Sequence, residues 1–193
     1  GTSLAEAFTS YVIANYAQPI TVNRVYSFLR SLGFPIGKER VIDLFNRARE
    51  TYFAFMIEIF QKSERKRKMY PKKLYIIDTG YPTALGYEFS ISKAMENAVY
   101  LELLRRGTGE IHYWREYGKS DGVEVDFVLS RNFEAEELIQ VTYAEDTVKE
   151  REVKALKKAQ KELNPKKVTI LTWNYRGKVD DIEAVPLWYW LLT

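Results

Sequence analysis

Two acidic residues near the middle of the second half share one face of a strand. In Val123–Ser130 the apolar residues alternate, so Val123, Val125, Phe127 and Leu129 are predicted to face one way, and Glu124 and Asp126 the other. The following strand, Leu138–Tyr143, puts Leu138, Gln140 and Thr142 on one face. If the two strands pair as a hairpin, the acidic face lies beside Gln140 and Thr142. A third carboxylate, Glu96, sits in a helix that is apolar on nearly all sides, between Leu103 and Tyr100 when positions are laid out at about 100° per residue. A carboxylate in that setting is costly unless a cation, a metal or a strong donor compensates it. The alternative is a salt bridge, for example to Lys93 or an arginine of the same helix.

The elements that position these residues follow from periodicity. Helices are predicted at 4–17, from Thr21 or Val22 to Leu32 with Gly33 as cap, and at roughly 38–50. The pattern changes period over Thr51–Phe60, a strand, which a basic loop over Gln61–Lys68 joins to a second strand ending at Ile77. Strands and helices then alternate: helix Ser92–Arg106, strand Ile111–Arg115, turn Gly118–Gly122, the two strands above, helix 148–163, strand Lys167–Trp173 and an aromatic tail over Ala184–Leu192. The fold class is α/β (α+β overall), with domains at 1–70 and 71–193.

Three short helices followed by a two-stranded ribbon with a basic tip is the order of a winged helix-turn-helix. In such folds the third helix enters the major groove and the wing touches backbone. Lys38, Arg40, Arg47 and Arg49 lie on the third helix, and Arg65, Lys66, Arg67 and Lys68 at the tip, with Lys72 and Lys73 close behind. These cations make double-stranded DNA the expected partner, while Glu39 and Asp43 moderate the charge. The alternative is a packing or protein-binding module with solvated charges.

Composition supports a two-part reading. The 193 residues are 46% hydrophobic and 28% charged, enough for a core. Residues 1–80 hold 13 Lys/Arg against 7 Asp/Glu, and the remainder 16 against 19, a basic front and a slightly acidic back. Cysteine is absent, which excludes disulfides, thiolate zinc sites and a cysteine nucleophile. No long apolar run predicts a membrane span, and no secretory signal is visible, so a cytoplasmic setting is expected. Gly33–Glu39 has a phosphate-loop flavour, but its spacing is one residue short and no Ser/Thr follows Lys38, so no ATP is expected on this chain. The single His112 excludes a multi-histidine metal site. Trp173, Trp188, Tyr189 and Trp190 have faces that can stack on bases, though their spacing reads as core or a subunit contact.

From about residue 72 to 192 the chain resembles the C-terminal domain of archaeal and bacterial AAA-type ATPases that end in a PD-(D/E)XK nuclease-like fold. The segments that carry the resemblance are Lys73–Gly80, Glu96–Leu103, Glu124–Val128 and Ile139–Val141. A winged helix precedes that domain in those ATPases, so the resemblance covers nearly the whole chain and implies an ATPase domain upstream. It further implies a restriction-endonuclease-like mixed sheet flanked by helices. Glu96 and Asp126 would hold Mg²⁺ or Mn²⁺, with Gln140 at the position of the next strand's glutamate and Thr142 at the position of its lysine. Mg²⁺ prefers hard oxygens, and the metal activates water. Gln140 offers one charge fewer and Thr142 no cation, and losing a fixed charge on a transition state costs about 3 kcal/mol. Lys149, Arg151 or Lys154 of the next helix are the cations that would replace it. The expected function is therefore a nucleic-acid-binding or interaction module with a degenerate nuclease-like site; an active Mg²⁺- or Mn²⁺-dependent DNA endonuclease and a purely protein-binding regulatory module are the alternatives.

Overall fold

The chain forms a three-stranded sheet and a six-stranded sheet, both packed against helices. The structure, a computed structural model, describes residues 2–116 and 122–193, so the turn predicted at Gly118–Gly122 falls, but for Gly122, outside the described residues.

The front half runs α1 (Leu4–Ala14), β1 (Gln18–Ile20), α2 (Val22–Ser31), α3 (Lys38–Glu50), β2 (Ala54–Ile57), α4 (Glu64–Met69) and β3 (Lys72–Ile76). Ser3 opens α1 with a capping box to Glu6, and Thr21 caps α2 through the Arg24 amide. The three strands are antiparallel in the order β1-β3-β2, so β3 is the central strand. The sequence pattern had grouped that strand with the second half from residue 71. Two elements differ from expectation. The helix predicted at 4–17 ends at Ala14, and Pro19 sits within β1, whose pairing with β3 is short. The basic segment predicted as a loop over Gln61–Lys68 forms α4, because Ser63 accepts from the Lys66 amide and the last turn carries three cations, which suit the helix dipole.

The second half runs α5 (Tyr81–Ala84), α6 (Ile91–Arg106), β4 (Glu110–Arg115), β5 (Glu124–Arg131), β6 (Glu134–Thr142), α7 (Glu150–Leu163), β7 (Lys167–Thr172), β8 (Gly177–Val179), β9 (Ile182–Pro186) and α8 (Leu187–Leu192). Its six-stranded mixed sheet has the order β4-β5-β6-β7-β9-β8. The first three strands are antiparallel, while β6, β7 and β9 are parallel. Gly107, at φ 62°, ends α6 in the left-handed conformation that favours glycine. Helix α7 covers one face with Val153, Ala155, Leu156 and Ala159, and the tail predicted as one aromatic element is β9 followed by α8. No helix among the described residues is long and apolar enough to cross a membrane.

One apolar cluster joins the halves, running from Phe8, Val25 and Phe45 through Leu74 and Tyr75 to Val99, Tyr100 and Phe127. Tyr75 stacks on Tyr100 with ring centroids 4.3 Å apart. Beyond β2, the chain pairs with β4: the Tyr113 amide donates to the Glu58 carbonyl and the Phe60 amide to the Tyr113 carbonyl. Asn97 of α6, fully buried, clamps the end of β3 by accepting from the Ile76 amide at 2.9 Å and donating to the Ile76 carbonyl at 2.8 Å. Replacing it with leucine strands two buried backbone groups, at a cost of about 2–4 kcal/mol. Thermal melting of Asn97→Leu is expected roughly 5–15 °C below the parent; an unchanged melting temperature contradicts the clamp.

Candidate functional site

The acidic residues converge where β5 and β6 separate. The β5–β6 register ends at Phe127↔Ile139, and past it the Val141 amide donates to Asp126 Oδ2 at 3.0 Å instead of to a strand carbonyl. Opposite, two residues of β5, Asp126 and Phe127, stand against one of β4, Tyr113, between the pairs His112↔Val128 and Trp114↔Val125. That bulge breaks the strict alternation expected from the sequence: Val125 packs under α7, while Phe127 and Leu129 join the other core cluster. Glu124 and Asp126 nevertheless reach the same point.

The group at that point is Lys73, from the central strand of the front sheet. Its Nζ lies 2.7 Å from Glu96 Oε1, 2.9 Å from Glu124 Oε1 and 3.1 Å from Asp126 Oδ1, with the lysine side chain 3% exposed. Tyr75, two residues on and on the same face of β3, donates to Glu96 Oε1 at 2.8 Å. Gln140 Nε2 donates to Asp126 Oδ2 at 2.8 Å. The ion pair of Glu96 is thus with Lys73 rather than with Lys93 or an arginine of its helix. Lys73 had been grouped with the basic tip; the detectable signal was that a period-two reading of Lys72–Ile76 puts it on the face of the buried Tyr75.

Burial alone would push Lys73 down, but Glu96, Tyr75, Asp126 and Glu124 hold it well above the ordinary lysine value. Glu96 is pushed up to about 7 by burial and by Asp126, against the pull of Lys73 and the hydrogen bonds of Lys73 and Tyr75. Asp126 is also raised, by burial and by Glu124, with Lys73 and the Val141 amide opposing. Three carboxylates around one ammonium leave excess negative charge, and the cluster relieves it by binding a proton near neutrality.

A cavity of about 250 Å³ opens on the outer side of these acids, lined by Glu124, Asp126, Gln140, Lys149, Arg151 and Glu152. Within it Gln140 Oε1 and Glu152 Oε2 are buried with no hydrogen-bond partner among the described residues. Burial raises Glu152, with Thr142 opposing and Asp126 adding to the rise. Thr142 is buried and Glu152 escaped the sequence pattern; Lys149 and Arg151 reach the cavity, whereas Lys154 lies farther along α7.

The residue set does not fit a divalent ion as it stands. The oxygens that would bind it surround an ammonium, and no group of three acidic or histidine side chains among the described residues is arranged to hold a metal.

The cations predicted to meet DNA lie on the front half. Lys38 sits over the Tyr26 ring and Arg40 pairs with Asp43, both exposed on α3. Arg65 and Lys66 are exposed on α4, and Lys68 pairs with Glu64. Arg67 is different: it donates to the Gln61 and Lys62 carbonyls, pairs with Glu58 and covers the Phe133 ring, so it staples α4 to the β5–β6 turn.

Residues 92–190 match the family model described as a domain of unknown function, DUF4143. The chain is 34% identical over 189 residues to the uncharacterized protein MJ1544 of Methanocaldococcus jannaschii, an alignment covering 92% of this chain and 42% of that protein. It is 27% identical over 201 residues to an uncharacterized protein of Haemophilus influenzae, covering 99% of this chain and 46% of that one. The chain thus spans less than half the length of these curated relatives. No solved structure matches it. The chain belongs to the DUF4143 family.

The raised carboxyls give a stability profile with a definite sign. A group whose folded value is raised keeps its proton longer in the native state, so stability falls as pH rises from the ordinary glutamate value to about 7. For Glu96 that interval corresponds to about 3 kcal/mol. In Glu96→Gln the drop in chemical-denaturation stability between about pH 5 and 8 is expected to shrink by a comparable amount; an unchanged drop excludes Glu96 as the titrating group.

Proposed function

We propose that this member of the DUF4143 family is a nucleic-acid-binding module whose nuclease-like site is degenerate. The observation that carries this reading is the Lys73 ammonium, which takes the place among Glu96, Glu124 and Asp126 that a catalytic divalent ion would need. A fixed monovalent cation neutralises the acids but carries no water to activate.

The topology supports both halves of the reading. Three helices and an antiparallel sheet in the order β1-β3-β2 fit a winged helix-turn-helix, with α3 as its groove helix and exposed cations on α3 and α4. The run α6, β4, β5, β6, α7, β7 fits the PD-(D/E)XK plan, with Glu96 on the first helix and Asp126 and Gln140 on adjacent strands. The longer relatives are consistent with an AAA-type ATPase domain elsewhere in the intact protein, and the cysteine-free composition with a cytoplasmic one. An active endonuclease is the second reading. It is favoured by the two unpartnered acceptors, Gln140 Oε1 and Glu152 Oε2, facing a cavity with Lys149 and Arg151 at its rim.

Incubation of supercoiled plasmid with the chain and Mg²⁺ or Mn²⁺ separates the two. No divalent-dependent nicking above a buffer control is expected, and duplex binding is expected to weaken about tenfold or more in Arg40→Gln/Arg65→Gln/Lys66→Gln. Nicking that disappears in Asp126→Ala would establish the nuclease instead, and duplex affinity untouched by the triple substitution would remove the winged helix as the contact.

A further inference from the structure

Helix α7 carries a second basic surface that neither the acid cluster nor the front half uses. Lys154, Lys157, Lys158 and Lys161 stand at i, i+3, i+4 and i+7, which puts them in one stripe. They line a groove of about 550 Å³ against the β8–β9 turn, floored by Val148, Val153 and Val179. The carboxylates in the groove are Glu150 and Asp180, and Asp180 is held by Lys157. Lys158 pairs with Glu116. Lys154 and Lys161 are exposed and make no ion pair among the described residues.

We propose that this groove binds the phosphate backbone of a nucleic acid and leads it past the acid cavity. The proposal rests on the nucleic-acid reading above and adds a contact surface to it. Charge complementarity selects the partner: Lys157 and Lys158 are paired with Asp180 and Glu116, which leaves Lys154 and Lys161 facing the single carboxylate of Glu150. At a rise of about 1.5 Å per residue, Lys154 and Lys161 are about 10 Å apart along the helix. One strand of a duplex places about three phosphates over that length. Lysine suits the task, since its flexible point charge follows a phosphate row without the planar geometry an arginine–carboxylate fork demands. The stripe also has a direction, because Lys149 and Arg151 at the start of the same helix stand at the mouth of the cavity that holds Glu124, Asp126 and Gln140. A backbone lying along α7 therefore arrives beside the acids, which is where a nuclease-like scaffold would present it.

The test is fluorescence anisotropy with a labelled duplex and a labelled single strand, across about 50–200 mM salt, on the parent chain, Lys154→Gln/Lys161→Gln and Arg40→Gln/Arg65→Gln. The α7 variant is expected to bind about tenfold more weakly with a salt slope smaller by about 2, while the front variant loses affinity independently. Whichever probe loses more identifies the form of nucleic acid that uses the groove. An α7 variant that binds both probes like the parent overturns the inference, and does so without touching the winged-helix reading. Loss in the α7 variant alone keeps the inference and overturns docking through α3 and α4. A parent chain that binds neither probe overturns both. The single substitutions, each expected to remove about one unit of slope, carry the test if the double variant melts lower.

Discussion

The structure turns on a buried lysine. Lys73 comes from the front sheet, yet its ammonium ends among three carboxylates of the second half. Burying a lysine is unfavourable unless it is paired, and burying Glu96 and Asp126 without a cation is worse. Each side is therefore tolerable only because the other is present. That mutual need fixes where β3 sits against α6 and β5, and the stack of Tyr75 on Tyr100 and the Asn97 clamp on Ile76 hold the same three elements in place. Removing one partner from such a cluster leaves an uncompensated buried charge, which costs about 3–5 kcal/mol.

The same arrangement decides the chemistry. A divalent ion needs oxygens free to surround it, and here three of them already accept from an ammonium. The strands part at Asp126, a cavity opens outside it, and cations stand at the rim. An ion position filled by the protein's own side chain is consistent with the proposed role of holding a strand rather than cutting it.

Much of this was legible in the sequence, and the exceptions have physical causes. The helices of the front half follow their apolar periodicity and caps, and α3 matches its expected span of 38–50. Asp126 meets Gln140 as the strand faces implied, while Glu96 joins Glu124 and Asp126 through Lys73, which no strand face implied. The β5 alternation failed at a bulge, which no periodicity reports, because a bulge is a property of two strands and not of one. The α4 segment failed because its lysines and arginines read as a loop, although Ser63 and the following charge order are those of a short helix. Lys73 failed for a deeper reason. A lysine in a basic stretch is a surface residue by composition, and only its long-range partners, 23 to 53 residues away in sequence, make burial tolerable. The lysine stripe of α7 gives no sign of a groove in the sequence, because the distant β8–β9 turn completes it, and the cavity that Glu152 lines is completed by residues of β5 and β6.

Whether the ammonium of Lys73 keeps its place when a divalent ion is offered decides between a filled and an open ion position. Nitrogen-15 spectra of the lysine side chains read this directly, since a buried, triply paired ammonium exchanges slowly and shows a resolved signal that Lys73→Arg removes. This signal is expected at neutral pH and is expected not to move when Mg²⁺ is added in excess. A signal that shifts or vanishes saturably with Mg²⁺, and returns on chelation, would show the ion displacing the lysine and would contradict the account.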